Sequence, residues 1–209
     1  MPPDEDEPPK HELPRRSRDD SKRETREALI AAGVAAFAEE GLDAPSLDSI
    51  CARAGFTRGA FYVHFKDRED FLIAVMTKQL EALFDAVIAT GDAAFDLERT
   101  IEMYVTALVA GTLPSLGTVQ FHQLLAACAR SSRVREQTVQ VIGEGARRVA
   151  TAVREGQGAG TVRPDVQADQ IATLLVALVA GAQTLLDLQY PYDAVAASQD
   201  LSRMLKRPR

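Results

Sequence analysis

The sequence predicts an all-α protein, and two observations support that fold class. Alanine and leucine dominate from residue 28 onward, and the β-branched alternation typical of strands is scarce. Gly and Pro also recur where helices of ordinary length should end. With 209 residues, 46% of them hydrophobic, the chain can form one domain or two small ones around a substantial core.

The first predicted helix runs from about Lys22 to Glu40. It follows an arm, residues 1–20, which is rich in Pro and charged residues and is expected to be disordered because it has so few apolar groups to bury. Gly41 should end the helix, since glycine accommodates the left-handed backbone that closes many helices. The buried face of this helix is predicted to contain Leu29, Gly33, Ala36 and Phe37.

Residues 46–65 predict two short helices joined by a tight turn at Gly55. Ser46 and Thr57 can cap them, because a hydroxyl accepts a hydrogen bond from an unpaired amide of the first turn. Two helices around a glycine turn are typical of the helix-turn-helix unit, whose second helix enters a DNA major groove. In that second helix we expect Ala60, Phe61 and Phe65 to point inward, and Arg58, Gly59, Tyr62, Val63 and His64 to point outward.

Six further helices are predicted beyond this motif. Asp67 should cap a fourth helix that continues to about Ile88 and is closed by Gly91. Pro114, the glycine-rich turn 156–160 and Pro191 separate the others. Their predicted bounds are Leu97–Leu113, Val119–Arg130, Ser132–Gly156, Asp165–Leu188 and Tyr192–Leu205. We therefore expect a helix-turn-helix domain over residues 21–67, a helical domain over 68–205 and a basic tail at 206–209.

The net charge of −6 at first opposes nucleic-acid binding, because phosphate contacts require cations. The charge is unevenly placed, however: acidic residues cluster within residues 4–12, and six basic residues follow between Arg15 and Arg26. A local basic face beside the motif matters more than the total. The basic run is expected either to reach an adjacent minor groove or to remain a solvated arm, and the tail at 206–209 is expected to be a frayed end.

Four segments carry a family resemblance. They are Gly41-Leu42, Ser46-Leu47-Asp48-Ser49-Ile50, Ala54-Gly55-Phe56-Thr57-Arg58-Gly59-Ala60-Phe61-Tyr62-Val63-His64-Phe65 and Asp70-Phe71-Leu72. Together they resemble the TetR family of transcriptional regulators over about residues 24–76, whereas the remainder is similar only in helical layout. The resemblance implies a homodimeric repressor that binds a palindromic operator in double-stranded DNA and is released by a small molecule. It implies nothing about which molecule that is.

The resemblance also implies roles for the outward residues. Tyr62 and His64 should contact phosphates, although His64 could instead bond a backbone carbonyl. Thr57 and Arg58 lie where recognition helices touch bases, so Arg58 is expected at guanine O6/N7, or else at a phosphate or in solvent. Gly59 should permit close approach, and Val63 can only touch a thymine methyl. Arg68 keeps the charge of the family's usual Lys and can still reach a phosphate. The predicted DNA-contact set is Ser46, Thr57, Arg58, Gly59, Tyr62, Val63, His64, Lys66 and Arg68.

The second domain is expected to dimerise and to bind the effector. The helix predicted over 165–188 is apolar on more than one face, so one face should pack internally and another against a second copy. Close approach between helices would be permitted by the small residues Gly143, Gly145, Ala146, Ala180 and Gly181. A pocket for a small apolar or amphipathic effector is expected here, with candidate polar residues Tyr104, His122, Gln123 and Gln183.

No catalytic pattern is evident. None of the three histidines follows a Glu by three residues, as a di-metal bundle would require, and Cys51 and Cys128 lack metal or disulfide spacing. We expect no metal and no cofactor. The sequence shows no signal peptide, and its apolar stretch 171–182 is too short to span a bilayer, so a cytoplasmic protein is expected. The alternatives are an activator of the same fold and a helical-bundle enzyme.

Overall fold

The computed structural model describes residues 17–88, 95–110 and 121–205, and over these residues the chain forms nine helices and no strand. The all-α fold class predicted from the sequence is confirmed. The helices are α1 Arg18–Glu40, α2 Leu47–Ala54, α3 Arg58–His64, α4 Arg68–Ile88, α5 Leu97–Val109, α6 Phe121–Arg130, α7 Ser132–Ala159, α8 Ala168–Asp187 and α9 Ala194–Leu205.

The start of α1 differs from the sequence prediction. Ser17 Oγ accepts a hydrogen bond from the Asp20 amide at 3.1 Å, and this cap starts the helix four residues before Lys22. Residues 18–20 therefore belong to α1 and not to the disordered arm predicted for residues 1–20. The rest of that arm, with Arg15 and Arg16, lies outside the described residues, as do Gly91, Pro114 and the tail 206–209.

An aromatic cluster forms the centre of the first core. The Phe71 ring of α4 lies 6.0 Å from Phe37, 5.3 Å from Phe61 and 5.0 Å from Phe65, measured between ring centroids. Each of these four side chains is at most 2% exposed. Aromatic pairs in such tilted and edge-on arrangements add to the energy of simple burial. The second helix of the motif is therefore held firmly against α1 and α4.

The first core extends beyond the helix-turn-helix unit. Gly33 permits close approach of α1 and α4, because a Cβ atom there would lie 2.4 Å from a Phe71 ring carbon. Ala127 of α6 and Val134 of α7 are buried in the same core. The DNA-binding half and the start of the α6–α7 region thus share the first core.

The second core lies between α4, α5, α7 and α8. Gly145 permits close approach of α4 and α7, since a Cβ there would lie 2.2 Å from the Phe84 ring. The close helix approach expected at Gly145 is therefore made inside one chain, between α4 and α7. Gly143 and Gly181, by contrast, have no atom of the described chain within 4 Å of their Cβ positions apart from the backbone of their own helix and their chain neighbours.

The end of α7 also differs from the prediction. The helix continues to Ala159, three residues beyond Gly156, and closes at Gly160 with φ 79°. Gly156 lies inside the helix. A glycine is required there because the Phe95 carbonyl oxygen lies 2.5 Å from where a Cβ atom would be. Thr161 Oγ1 donates to that same carbonyl at 2.6 Å, which fixes the segment before α5 against the end of α7.

Among the described helices, α8 alone is long and apolar enough to cross a membrane by length and composition. The 12-residue stretch considered in the sequence understates its length of 20 residues. This is weak evidence for a membrane span, and 17% of the most apolar window of α8 is buried within the chain. The apolar surface of α8 therefore requires a further explanation.

Candidate nucleic-acid interface and effector cavity

The helix-turn-helix geometry predicted from the sequence is present. Ser46 Oγ accepts from the Ser49 amide at 3.0 Å and caps α2, and Thr57 Oγ1 accepts from the Ala60 amide at 3.3 Å and caps α3. Gly55 has the left-handed backbone conformation, with φ 76°, that the turn between the helices requires.

The two sides of α3 differ as predicted, except at Ala60 and at His64, which was expected to point outward and is half-buried. Phe61 is 0% exposed, whereas Tyr62 is 49% and Val63 64% exposed. Arg58 and Gly59 are also exposed, but Ala60, expected to point inward, is only half-buried. A short helix fixed by buried aromatic rings thus presents polar and small side chains to the outside.

Arg58 is held loosely on this outer face. Its guanidinium carbon lies 5.9 Å from the centre of the Tyr62 ring, and its Nη1 donates to Asp48 Oδ2 at 3.4 Å. A hydrogen bond to Tyr62 raises the pKa of Arg58 from its ordinary value. Exposed pairs of this kind contribute little to stability, so Arg58 can exchange them for a base or a phosphate at small cost.

His64 lies on the side of α3 that faces α1. Burial lowers the pKa of His64, and the charges of Lys22 and Arg26 lower it further. Arg26 also lies over the Phe65 ring, 5.3 Å from its centroid. Two cations of α1 and this histidine therefore form a basic edge beside the recognition helix, within the described part of the basic run.

Gly59 is not required by the protein's own packing. The nearest atom to its Cβ position is Thr57 Oγ1 at 3.6 Å, an ordinary van der Waals distance, and its backbone is not left-handed. The missing side chain therefore leaves space only on the outer side of α3, where a duplex would lie.

Arg68 has different partners from those expected. Its guanidinium donates to the carbonyl oxygens of Pro45 and, at 2.8 Å, Leu42, and its guanidinium carbon lies 5.9 Å from the centre of the Phe37 ring. These bonds point the side chain into the segment between α1 and α2, so the expected phosphate contact finds no support in the structure. Arg68 holds this segment in place, while Lys66 is exposed.

The start of α4 carries the predicted cap. Asp67 Oδ1 accepts from the Asp70 amide at 2.7 Å, and Asp70 Oδ2 accepts from the Lys66 amide at 3.1 Å. The first of these bonds is the main reason that the pKa of Asp67 lies below its ordinary value. The cap joins the end of the recognition unit rigidly to α4.

Two arginines that the sequence did not single out connect α6 and α7 to this region. Arg130 Nη2 donates to Asp43 Oδ1 at 2.9 Å, and Arg133 Nη2 donates to Asp70 Oδ1 at 2.9 Å. Arg133 also lies 3.3 Å from an Asp67 oxygen. These partners are 63 to 87 residues apart, so no local sequence pattern could have revealed them.

Two of the predicted effector residues have other roles. Gln123 Oε1 accepts from the Leu42 amide at 3.1 Å, so its side chain reaches the DNA-binding half. The exposed His122 pairs with Asp187, with 3.5 Å between Nδ1 and Oδ2. Tyr104 and Gln183 are buried, 7% and 6% exposed.

An apolar cavity of about 90 Å³ lies in the second domain. Helices α4, α6, α7 and α8 each contribute to its lining, which includes none of the four predicted effector residues. The lining residues are all apolar: Leu80, Leu83, Phe84, Val87, Phe121, Leu124, Ile142, Val149, Leu175, Val176, Val179 and Ala180.

A capped helix-turn-helix unit, fixed to a helical domain that contains an apolar cavity, defines a DNA-binding regulator of the helix-turn-helix class. Two family models match the chain: "Bacterial regulatory proteins, tetR family" over residues 29–75 and "Tetracyclin repressor-like, C-terminal domain" over residues 121–199. The chain belongs to the TetR family. It is a helix-turn-helix transcriptional regulator and not an enzyme.

Individual relatives agree with this assignment. The chain is 27% identical over 158 residues to the HTH-type transcriptional repressor DhaR of Mycobacterium sp. (strain GP1), covering 75% of this chain and 79% of the relative. It is 33% identical over 103 residues to the uncharacterized HTH-type transcriptional regulator TtgW of Pseudomonas putida, covering 49% and 73%. FadR of Bacillus subtilis, solved in complex with stearoyl-CoA, has the same fold, with a TM-score of 0.58 at 19% identity over 86% of this chain and 96% of that one.

Proposed function

We propose that the protein is a cytoplasmic, homodimeric repressor that occupies a palindromic operator and leaves it when a small apolar or amphipathic molecule binds in the second domain. The observation that carries this proposal is the two-sided α3, whose buried Phe61 fixes the exposed Tyr62 and Val63 in place. A repressor, in preference to an activator, is supported by the similarity to DhaR, which is named as one.

The proposed contacts divide α3 into base-reading and phosphate-binding residues. Arg58 would donate to guanine O6 and N7, and Val63 would touch a thymine methyl. Tyr62 and His64 would contact phosphates on either side of the groove, the latter with help from Lys22 and Arg26. Ser46 and Lys66 would add phosphate contacts that fix the register, and Thr57 at the start of α3 would lie against a base edge.

A two-fold dimer would account for the exposed apolar surface of α8. Leu174 is 68% and Leu178 39% exposed, and Gly181 follows on the same face one turn later. An isolated chain would leave this stripe in water, whereas a second copy would bury it against an equivalent stripe. The open space at the Cβ positions of Gly181 and Gly143 would let the backbones approach closely.

Helix α4 supports a route from effector to DNA. Leu80, Leu83 and Val87 near its C-terminal end line the cavity, while its first turn carries the Asp70–Arg133 pair beside the recognition unit. A molecule that displaces the lining would shift α4, and with it the spacing of the two recognition helices in the dimer. Release from the operator would follow, because half-site spacing is fixed by the DNA.

The DNA-binding assignment is tested with a duplex selected from random sequence by the purified protein. The double variant Arg58→Ala/Tyr62→Phe should lose this binding while it keeps the helical circular-dichroism spectrum. The matched control, Arg154→Ala/Tyr190→Phe, removes the same groups from exposed positions far along the chain and should bind normally. Unchanged binding by the first variant would refute the proposed roles.

The dimer is tested by sedimentation of Leu174→Glu/Leu178→Glu. Two charges placed in an apolar interface should convert the protein to a monomer and abolish binding to the full palindrome. Met103→Glu, at an exposed α5 position, is the control and should sediment like the wild type. A wild-type monomer at assay concentration would contradict the proposal directly.

A further inference from the structure

Four buried polar atoms of the second domain have no hydrogen-bond partner among the described residues. They are Gln79 Nε2, Tyr104 Oη, Gln183 Oε1 and Tyr192 Oη. Gln79, Tyr104 and Gln183 are all at least nine-tenths buried. Buried polar groups in native proteins are nearly always paired, so each of these four atoms calls for an explanation.

Each of these four residues is connected to the lining of the apolar cavity through a packing neighbour or a neighbour on the same helix. Tyr104 belongs to an apolar cluster with Leu83, and Val179 packs against that cluster; both Leu83 and Val179 also line the cavity. Gln79 precedes Leu83 by one helical turn on α4, and Gln183 follows Val179 by one turn on α8, so each shares a helix face with a lining residue. Tyr192 lies close enough to Tyr104 to affect its titration.

We infer that these side chains form a polar subsite beside the cavity, and that the effector is an uncharged amphipathic molecule with a short apolar body and a head group that both donates and accepts hydrogen bonds. A primary amide or an alcohol has this chemistry. The inference rests on the proposed effector binding and names the class of ligand.

Charge is disfavoured at the proposed subsite. Within the described chain, the cavity lining contains no cation that could neutralise an anionic head. The Asp187 carboxylate, one turn after Gln183, would repel an anion, and it already receives the backbone amide of His122 at 3.4 Å and its ring Nδ1 at 3.5 Å. Burial raises the pKa of Tyr104, so its hydroxyl remains a protonated donor at neutral pH. Moving a charged head into such a place would cost far more than moving a neutral one.

The cavity also limits the size of the apolar body. An apolar cavity of about 150 Å³ holds benzene, so a cavity of about 90 Å³ suits a body of roughly four carbons. Pentanamide, pentanoate and pentylamine share such a body and differ in the charge of the head group. They are therefore matched probes for the subsite.

The experiment titrates the full chain, without DNA, with each of the three probes at neutral pH by calorimetry. Pentanamide should bind at least about tenfold more tightly than either ion. Tyr104→Phe and Gln183→Leu should each weaken pentanamide binding about fivefold or more, since each removes one hydrogen bond to the head. Tyr190→Phe, which removes an exposed hydroxyl, should bind like the wild type, and Ala180→Leu should bind none of the probes because its side chain fills the cavity.

Three results would overturn the inference: equal or tighter binding of an ion, no binding of any probe, or unchanged pentanamide binding in both subsite variants. Misfolding of a variant does not affect the first comparison, because the three probes are compared on the wild-type protein. The two variants should also fold, because each replaces an unpaired buried polar atom with an apolar group. Operator release is measured separately. Pentanamide that binds but leaves the operator complex intact would contradict the proposed release mechanism and leave the subsite standing.

Discussion

Gly59→Ala should separate DNA affinity from stability. Alanine is favoured over glycine in a helix by about 0.5–1 kcal/mol, and the new methyl group would meet only Thr57 Oγ1, at 3.6 Å. The free energy of unfolding should therefore stay constant or rise by up to about 1 kcal/mol. On the outer side, the same methyl group would hold α3 away from the duplex, and the operator Kd should increase at least about tenfold, or about 1.4 kcal/mol.

Two other glycines provide the comparison. A Cβ at Gly33 would lie 2.4 Å from the Phe71 ring, and overpacking of this kind costs about 1–3 kcal/mol. Gly55 has open space but φ 76°, where an alanine costs about 1–2 kcal/mol. Both Gly33→Ala and Gly55→Ala should lower the free energy of unfolding.

Urea unfolding and fluorescence anisotropy with a labelled operator, at one fixed salt concentration, measure the two quantities. If Gly59→Ala binds the operator with the wild-type Kd, the duplex does not approach this position and the placement of α3 in the groove is wrong. If the variant is clearly less stable, the space around Gly59 has been misjudged.

Three further predictions follow from the same contacts. Phe61→Ala should cost about 3–5 kcal/mol in urea unfolding, since it empties the centre of the aromatic cluster, and a loss below about 1 kcal/mol would contradict that role. The pKa of His64 is held below 6.5 in the free protein by burial and by nearby cations, so stability should fall as the pH drops below that value. Operator phosphates favour the protonated ring, so anisotropy should show tighter binding as the pH falls, by at most about tenfold per pH unit, and His64→Gln should flatten both trends. Arg133→Ala breaks half-exposed ion pairs, so it should change the free energy of unfolding by less than about 1 kcal/mol. The same variant should reduce the effect of a bound effector on operator affinity. If that effect is unchanged, Arg133 does not transmit effector binding to the recognition unit.

The N-terminal helices were predictable because their ends are decided by neighbouring residues. Ser46, Gly55 and Thr57 each act within three or four positions of the chain, through a cap or a left-handed turn. The start of α1 differs from the prediction although Ser17 is an equally local cap. The Pro-rich, charged composition of the preceding residues predicts disorder up to residue 20 and hides the capping signal. The sequence predicts a helix end at Gly156 because a glycine that makes room for a distant carbonyl looks the same in sequence as one that closes a helix.

The effector site was harder to predict because its geometry depends on contacts between distant segments. Tyr104 and Gln183 meet the sequence criterion of a polar residue in an apolar helix, and both are buried. Gln79 of α4 meets it as well, whereas Tyr192 precedes α9 and does not. Gln123 meets the same criterion, yet it bonds Leu42, 81 positions away. Which helix face a polar residue occupies relative to its neighbours in space is decided by packing, and the periodicity of one helix does not reveal it.

The continuous first core has a consequence for building chimeric regulators. A graft that takes another protein's DNA-binding segment and joins it near residue 67 would separate Ala127 and Val134 from the apolar groups they pack against. It would also leave Arg130 and Arg133 opposite whatever carboxylates the donor happens to carry. Operator specificity in this chain can therefore be transplanted only when the α6–α7 surface is exchanged together with the recognition unit, so the natural exchangeable module is discontinuous in sequence.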